Sequence, residues 1–203
     1  MATAKTLLAS SDAVPADTRR TESADAEETR FEERFRRHYA TVYGVLLRLT
    51  GNPDEAEDLA QEVFLRLHQH QAELDDERLG AWLYRVALNT GFNAVRSRRR
   101  ALQRLLRWAR LEPAHQHGLP GPEEDVVARD EARRVRQALA GLRQRDQAVL
   151  VLRYSGVSYA EIAEATGIKP GSVGTILTRA ERALRERYTA VTPEPEEESA
   201  HDA

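Results

Sequence analysis

Apolar residues recur along this chain at three- and four-residue steps, the spacing of helices with one buried face. The first clear stripe runs through Phe31, Phe35, Tyr39, Val42, Val45 or Leu46, and Leu49, and stops at Gly51. Asn52-Pro53-Asp54-Glu55 then reads as a helix start. Asn serves as cap, Pro fits the first helical position, and the acids sit on the positive end of the helix dipole. That helix, through His68, buries Ala56, Leu59, Ala60, Val63, Phe64 and Leu67 and turns Asp54, Asp58, Gln61, Glu62 and Leu65 the other way. A longer helix spans Leu79 to Arg110, capped by Asp75 or Asp76, with Leu79, Leu83, Val86, Thr90 and Ala94 as its buried face. Leu102, Leu105, Leu106 and Leu111 carry an apolar stripe to its end.

Proline and glycine then interrupt the pattern at Pro113, Gly118, Pro120, Gly121 and Pro122, so residues 111–125 read as a flexible linker. Periodicity resumes from Val126 to Gly141 through Val127, Ala128, Ala132, Val135 and Leu139. Ala148, Val149, Leu152 and Tyr154 mark the next helix, which ends at Gly156. Ser158-Tyr159-Ala160-Glu161 is a capping box, and its short helix closes at Gly167. Pro170 opens a last helix through Val173, Ile176, Leu177, Ala180 and Leu184. Two helices joined by a glycine-containing turn form a helix-turn-helix, whose second helix enters the major groove of duplex DNA. The expected fold is all-α: two small helical domains, 30–110 and 126–189, joined by the linker. Residues 1–29 and the acidic tail 190–203 are expected to be disordered.

Composition sharpens this reading. Of 203 residues, 41% are hydrophobic and 31% charged, enough for modest cores under a wet surface. Cysteine is absent, which removes disulfides and Cys-based zinc sites and suits a reducing cytoplasm. No basic-then-apolar leader opens the sequence, and no apolar run is long enough for membrane insertion. The net charge of −3 hides a segregation. Residues 31–110 carry 14 basic and 11 acidic side chains, and residues 131–190 carry 11 and 6, while the remaining segments are acidic on balance. Two basic modules between acidic tethers point to a polyanion contacted twice.

The candidate chemistry lies on the long helix. Trp82, Arg85, Asn89, Asn93 and Arg96 recur at helical steps to one side of the buried face. Beyond them come Arg98, Arg99, Arg100, Arg104, Arg107 and Arg110 with no acid between. Arginine neutralises phosphates, while an aromatic and amides stack on and bond to unpaired bases. His68-Gln69-His70 and His115-Gln116-His117 lack a clear third ligand, so no metal or other cofactor is expected. No phosphate-cradling glycine loop, activated nucleophile or paired carboxylates suggests an enzyme.

Asp54-Glu55-Ala56-Glu57-Asp58-Leu59-Ala60-Gln61-Glu62-Val63-Phe64-Leu65-Arg66-Leu67, followed by Trp82-Leu83-Tyr84-Arg85-Val86-Ala87-Leu88-Asn89, closely resembles region 2 of bacterial RNA polymerase sigma factors. The match is to the two-domain extracytoplasmic-function group of the sigma-70 family, and the helix-turn-helix resembles its region 4. The resemblance implies that Asp54, Asp58, Gln61, Glu62 and Leu65 dock on the clamp helices of the largest core polymerase subunit. It implies that Trp82, Arg85, Asn89, Asn93, Arg96, Arg98, Arg99 and Arg100 open the minus-ten promoter element and hold its single-stranded bases. The loop from about Gln69 to Glu77 would help to pocket a flipped base. Lys169, Ser172, Thr175, Thr178, Arg179 and Arg182 inherit contacts to the duplex minus-thirty-five element. An anti-sigma factor is a further expected partner. Asn93 stands where many relatives carry Asp, and Gly174 and Ile176 where they often carry basic residues. A helix-turn-helix regulator binding duplex DNA without polymerase is the alternative; it leaves the acidic helix and the Trp–Arg–Asn row unexplained.

Overall fold

A computed structural model describes residues 16–70, 74–109 and 126–191, all helices, turns and short connections with no strand among them. The chain divides into two units, Met1–Arg37 and His38–Ala203. Helix α1 (Ala16–Thr50) supplies the described part of the first and continues into the second. Its start at Ala16 precedes the expected one near Phe31. Residues 16–30 hold Ala, Glu and Arg, strong helix formers, and no Gly or Pro, so nothing local breaks the helix ahead of the apolar stripe. Within the first unit, Arg36 pairs with Glu32 one turn back and the Phe31 and Phe35 rings lie 6.2 Å apart.

The second unit holds two cores. One is built by the end of α1, α2 (Pro53–His70) and α3 (Asp76–Ala109), around Val42, Leu46, Val63, Leu67, Leu79 and Leu83, all fully buried. Gly51, with φ of 68°, ends α1 in the left-handed conformation that glycine adopts without strain. Asn52 Oδ1 accepts from the Glu55 amide at 3.1 Å and so caps α2. The Asp75 carbonyl accepts from the amides of Arg78 and Leu79, placing Asp75 at the threshold of α3. Gly91 lets α1 come close: a Cβ there would meet Leu49 Cδ1 at 2.7 Å.

The other core is built by α4 (Val126–Ala140), α5 (Gln144–Tyr154), α6 (Tyr159–Thr166) and α7 (Val173–Val191). Helices α4, α5 and α6 pack on α7, and α6 also packs on α5 and on α3. Val149, Leu150, Leu152, Ile162, Val173 and Ala180 fill the interior. The Ser158–Glu161 capping box is complete, with each side chain accepting from the other residue's backbone amide. Gly167, with φ of 70°, closes α6. A 3-10 turn, Pro170–Ser172, intervenes before α7, and Lys169 ahead of it makes no side-chain cap. The expected linker 111–125, His115 and His117 within it, lies outside the described residues; of the expected tail 190–203, Ala190 and Val191 instead end α7 and residues 192–203 lie outside.

Candidate functional site

The row expected on the long helix is on the surface. Arg85, Asn89, Asn93 and Arg96 are exposed and Trp82 is half-buried, while on the expected buried face Leu79, Leu83 and Thr90 are buried and Val86 and Ala94 half-buried. The helix period alone sorts these two sets, because α3 runs unbroken for 34 residues. Trp82 lies edge-on to the His70 ring at 6.3 Å, which ties the start of the row to the end of α2. Arg96 donates to Asn93 Oδ1 at 3.3 Å. Arg99 and Arg100 extend outward into solvent. Arg98 does not simply join them. Its Nη1 reaches Glu55 Oε2 at 2.8 Å and its Nη2 donates to the Thr50 carbonyl at 3.0 Å. One guanidinium thereby joins the end of α1 to the first turn of α2, a long-range role that local spacing does not reveal.

The acidic side of α2 is a second surface. Asp54, Asp58, Gln61 and Leu65 are exposed and Glu62 half-exposed. Leu65 keeps 62% of its surface in water, an apolar side chain on an otherwise charged face. Glu62 pairs with Arg66 along the helix, a weak contact that a stronger cationic partner can displace. Past the row, Leu102, Leu105, Leu106 and Trp108 are all more than half exposed, so among the described residues the apolar stripe on the end of α3 is largely uncovered.

In the second module, a groove of about 500 Å³ is lined by Thr175, Thr178, Arg179, Arg182 and Arg185 on α7. Arg185 had not been expected, although it continues the three-residue file through Thr175, Thr178/Arg179 and Arg182. Arg179 is anchored from behind: its Nη2 lies 3.0 Å from Oδ1 of Asp146, which is 7% exposed. The Thr178 hydroxyl donates to the Gly174 carbonyl at 3.1 Å. Arg182 is exposed and lies 3.6 Å from Glu186. Lys169 is exposed and Ser172 half-buried at the turn ahead of α7. Ile176 is 6% exposed and so belongs to the core. Gly174 is half-buried, with the Tyr159 ring 3.8 Å from where a Cβ would stand.

Among the described residues no group of three His, Cys, Asp or Glu side chains could hold a metal ion. None of their helices is long and apolar enough to cross a membrane.

Comparison with known proteins gives matches to both modules. Residues 34–101 match the family model for Sigma-70 region 2, and residues 132–184 match that for Sigma-70, region 4. The ECF RNA polymerase sigma factor SigL of Mycobacterium tuberculosis is 35% identical over 169 residues, covering 80% of this chain and 91% of that protein. SigW of Bacillus subtilis is 30% identical over 158 residues, covering 72% and 82%. Two solved structures share the fold at 21% identity. The sigma factor RpoE, in complex with the anti-sigma factor NepR from Bartonella quintana, has a TM-score of 0.54 over 78% of this chain and 96% of its own. CnrH, in complex with the cytosolic domain of CnrY, has a TM-score of 0.60 over 85% and 96%. A free-standing helix-turn-helix regulator is therefore not favoured, since the first module is matched as fully as the second. The chain belongs to the extracytoplasmic-function (ECF) group of the sigma-70 family, sigma factors that bind core RNA polymerase and direct it to initiate at particular promoters.

Proposed function

We propose that initiation is divided among three surfaces of this chain. Asp54, Asp58, Gln61, Glu62 and Leu65 on α2 dock on a basic surface of core polymerase, the clamp helices of its largest subunit. Trp82, Arg85, Asn89, Asn93 and Arg96, with Arg99 and Arg100 beyond them, hold unpaired bases and backbone of the minus-ten element. Thr175, Thr178, Arg179, Arg182 and Arg185 read the duplex minus-thirty-five element, with Lys169 and Ser172 at its backbone. Residues 30–110 form the first module and 126–189 the second, tethered by 111–125.

The observation that supports this reading is the separation of faces on α3, with Arg85, Asn89, Asn93 and Arg96 exposed, Trp82 half-buried, and Leu79, Leu83 and Thr90 buried. Extruding a base costs a few kcal/mol, which stacking on Trp82 and hydrogen bonds from Asn89 and Arg85 offset. The protein acts by binding alone and works in the cytoplasm, where its polymerase and DNA are. An apolar groove of about 690 Å³, lined by Leu47 on α1, Val135 and Leu139 on α4, Leu150 on α5 and Leu184 on α7, suits an apolar segment of an anti-sigma factor. The two structural relatives in complexes support such a partner.

Run-off transcription with core polymerase tests the reading, coupled to permanganate probing of melted thymines. Wild-type protein gives a promoter-specific transcript; Asn89→Ala retains core binding but loses thymine reactivity. Normal reactivity in that variant would remove Asn89 from the pocket.

A further inference from the structure

Past Arg98 the α3 helix keeps its period but loses its cover. Among the described residues, every α3 side chain from Arg96 to Trp108 is exposed, whereas Leu79, Leu83 and Leu88 nearer its start are buried. Arg98 ties the helix to the end of α1 and the first turn of α2, and residues 99–108 run on for about 15 Å. This end sorts into two arcs. Leu102, Leu105, Leu106 and Trp108 lie within about 160° of the helix circumference, and Arg99, Arg100, Arg104 and Arg107 within about 140° on the other side. No acid occurs from Arg96 to Ala109. Trp108 keeps 74% of its surface in water and Leu105 65%, a patch of the kind that marks an interaction surface.

Each arc alone has a simpler partner, but not the same one. Nucleic-acid phosphates satisfy the arginines and leave the leucines and Trp108 in water. A second copy of the chain could cover the leucines, but pairing two such stripes sets arginine beside arginine with no acid in this stretch to separate them. A negatively charged lipid surface takes both. Acyl chains receive the apolar arc, headgroup phosphates the basic one, and tryptophan favours the boundary between them. We propose that residues 99–108 form an interfacial helix that lies on an anionic lipid surface. Leu102, Leu105, Leu106 and Trp108 insert, Arg99 and Arg104 border them at headgroup level, and Arg100 and Arg107 face outward. About three turns with four apolar side chains give a reversible attachment and not a stable anchor. Those four side chains lie past the row given to minus-ten bases, so lipid binding does not depend on that reading.

Vesicle flotation with the full chain tests this. Vesicles of phosphatidylglycerol and phosphatidylethanolamine in equal parts should carry the protein upward, and phosphatidylcholine vesicles should bind it at least about tenfold more weakly. Each arginine near an anionic surface strengthens binding about fivefold, so Arg104→Glu with Arg107→Glu should weaken it at least about twentyfold. Leu105→Asp with Trp108→Asp should weaken it at least about tenfold, with the melting temperature unchanged because both side chains are exposed. Trp82→Phe leaves Trp108 as the single tryptophan, whose emission should shift to the blue on anionic vesicles and be quenched by lipids brominated in their acyl chains. Absence of flotation with anionic vesicles overturns the proposal and leaves the stripe to an acidic protein partner. Flotation that survives Leu105→Asp with Trp108→Asp overturns it too, since arginines alone would then explain the binding. A lowered melting temperature in that variant would show another part of this chain lying over the stripe, and dimers in place of vesicle binding would assign it to a second copy; either result also overturns it.

Discussion

The two modules place the side chains proposed to bind DNA in different relations to their cores. On α3 the polar row and the buried face are separate arcs of one long helix, and Asn89 or Arg96 can change without disturbing Leu83 or Ala87. On α7 the two sets interlock. Arg179 is held by buried Asp146 on α5, Ile176 between Thr175 and Leu177 is core, and Thr178 bonds to its own helix backbone. A single-stranded base can be caught by a side-chain row that any straight helix displays. A duplex groove admits a helix in one pose, so the side chains that read it must be fixed from behind. Binding and stability should therefore separate in the first module and travel together in the second.

The largest effect expected is on polymerase capture. Asp58→Arg combined with Glu62→Arg puts like charges opposite a basic partner, which costs several kcal/mol, so co-purification with core enzyme should fall by about a hundredfold or more. Both sites lie on the exposed side of α2, so thermal stability should stay within about 0.5 kcal/mol of wild type. A large drop in melting temperature would break the claimed separation. The matching test in the second module is Asp146→Ala. Removing the buried partner of half-exposed Arg179 should cost about 1 kcal/mol of stability, read by urea titration, and should weaken duplex minus-thirty-five binding by holoenzyme as well. Weakened binding at full stability would show that the modules do not differ in this way.

Much of this was legible in the chain because it is local. Asn52, Ser158 with Glu161, and the glycines at 51 and 167 set helix ends through contacts spanning a few residues, and those ends stand where spacing placed them. The exposed row on α3 follows from one period. What spacing could not supply is the contacts between distant residues. Asp146 reads as an ordinary acid in the first turn of α5. Arg98 reads as one of a run of arginines, and Arg85 as one of a row, until Thr50, Glu55 and α6 are brought beside them. Ile176, set beside a missing basic contact in the sequence, proved to be a core residue once α7 was packed.

Caps offer a finer comparison at about 1 kcal/mol each. Asn52→Ala and Ser158→Ala should each destabilise by about that amount, since each removes an acceptor for an amide in the first helical turn. Denaturant midpoints measure both. Holoenzyme formed at saturating protein should be insensitive to Asn52→Ala, because the docking face proposed for α2 lies on side chains beyond the cap. Impaired core capture by folded Asn52→Ala protein would extend that face to the start of the helix.

The smallest expected effect separates neighbours in the arginine run. Arg99 is free to neutralise a phosphate, so Arg99→Ala should lower the slope of log affinity against log salt by about 0.7–0.9, with stability unchanged. Arg98 is committed at both ends of its fork to Glu55 and Thr50. Arg98→Ala should leave the slope unaltered and cost stability, by about 1 kcal/mol, mostly through the orphaned Thr50 carbonyl; the half-exposed ion pair adds little. Titrating both variants against single-stranded oligonucleotide over a range of salt gives the two slopes from one experiment. Equal losses would mean that the Arg98 guanidinium leaves α1 and α2 for the DNA, and that even in the first module a binding side chain can double as a brace.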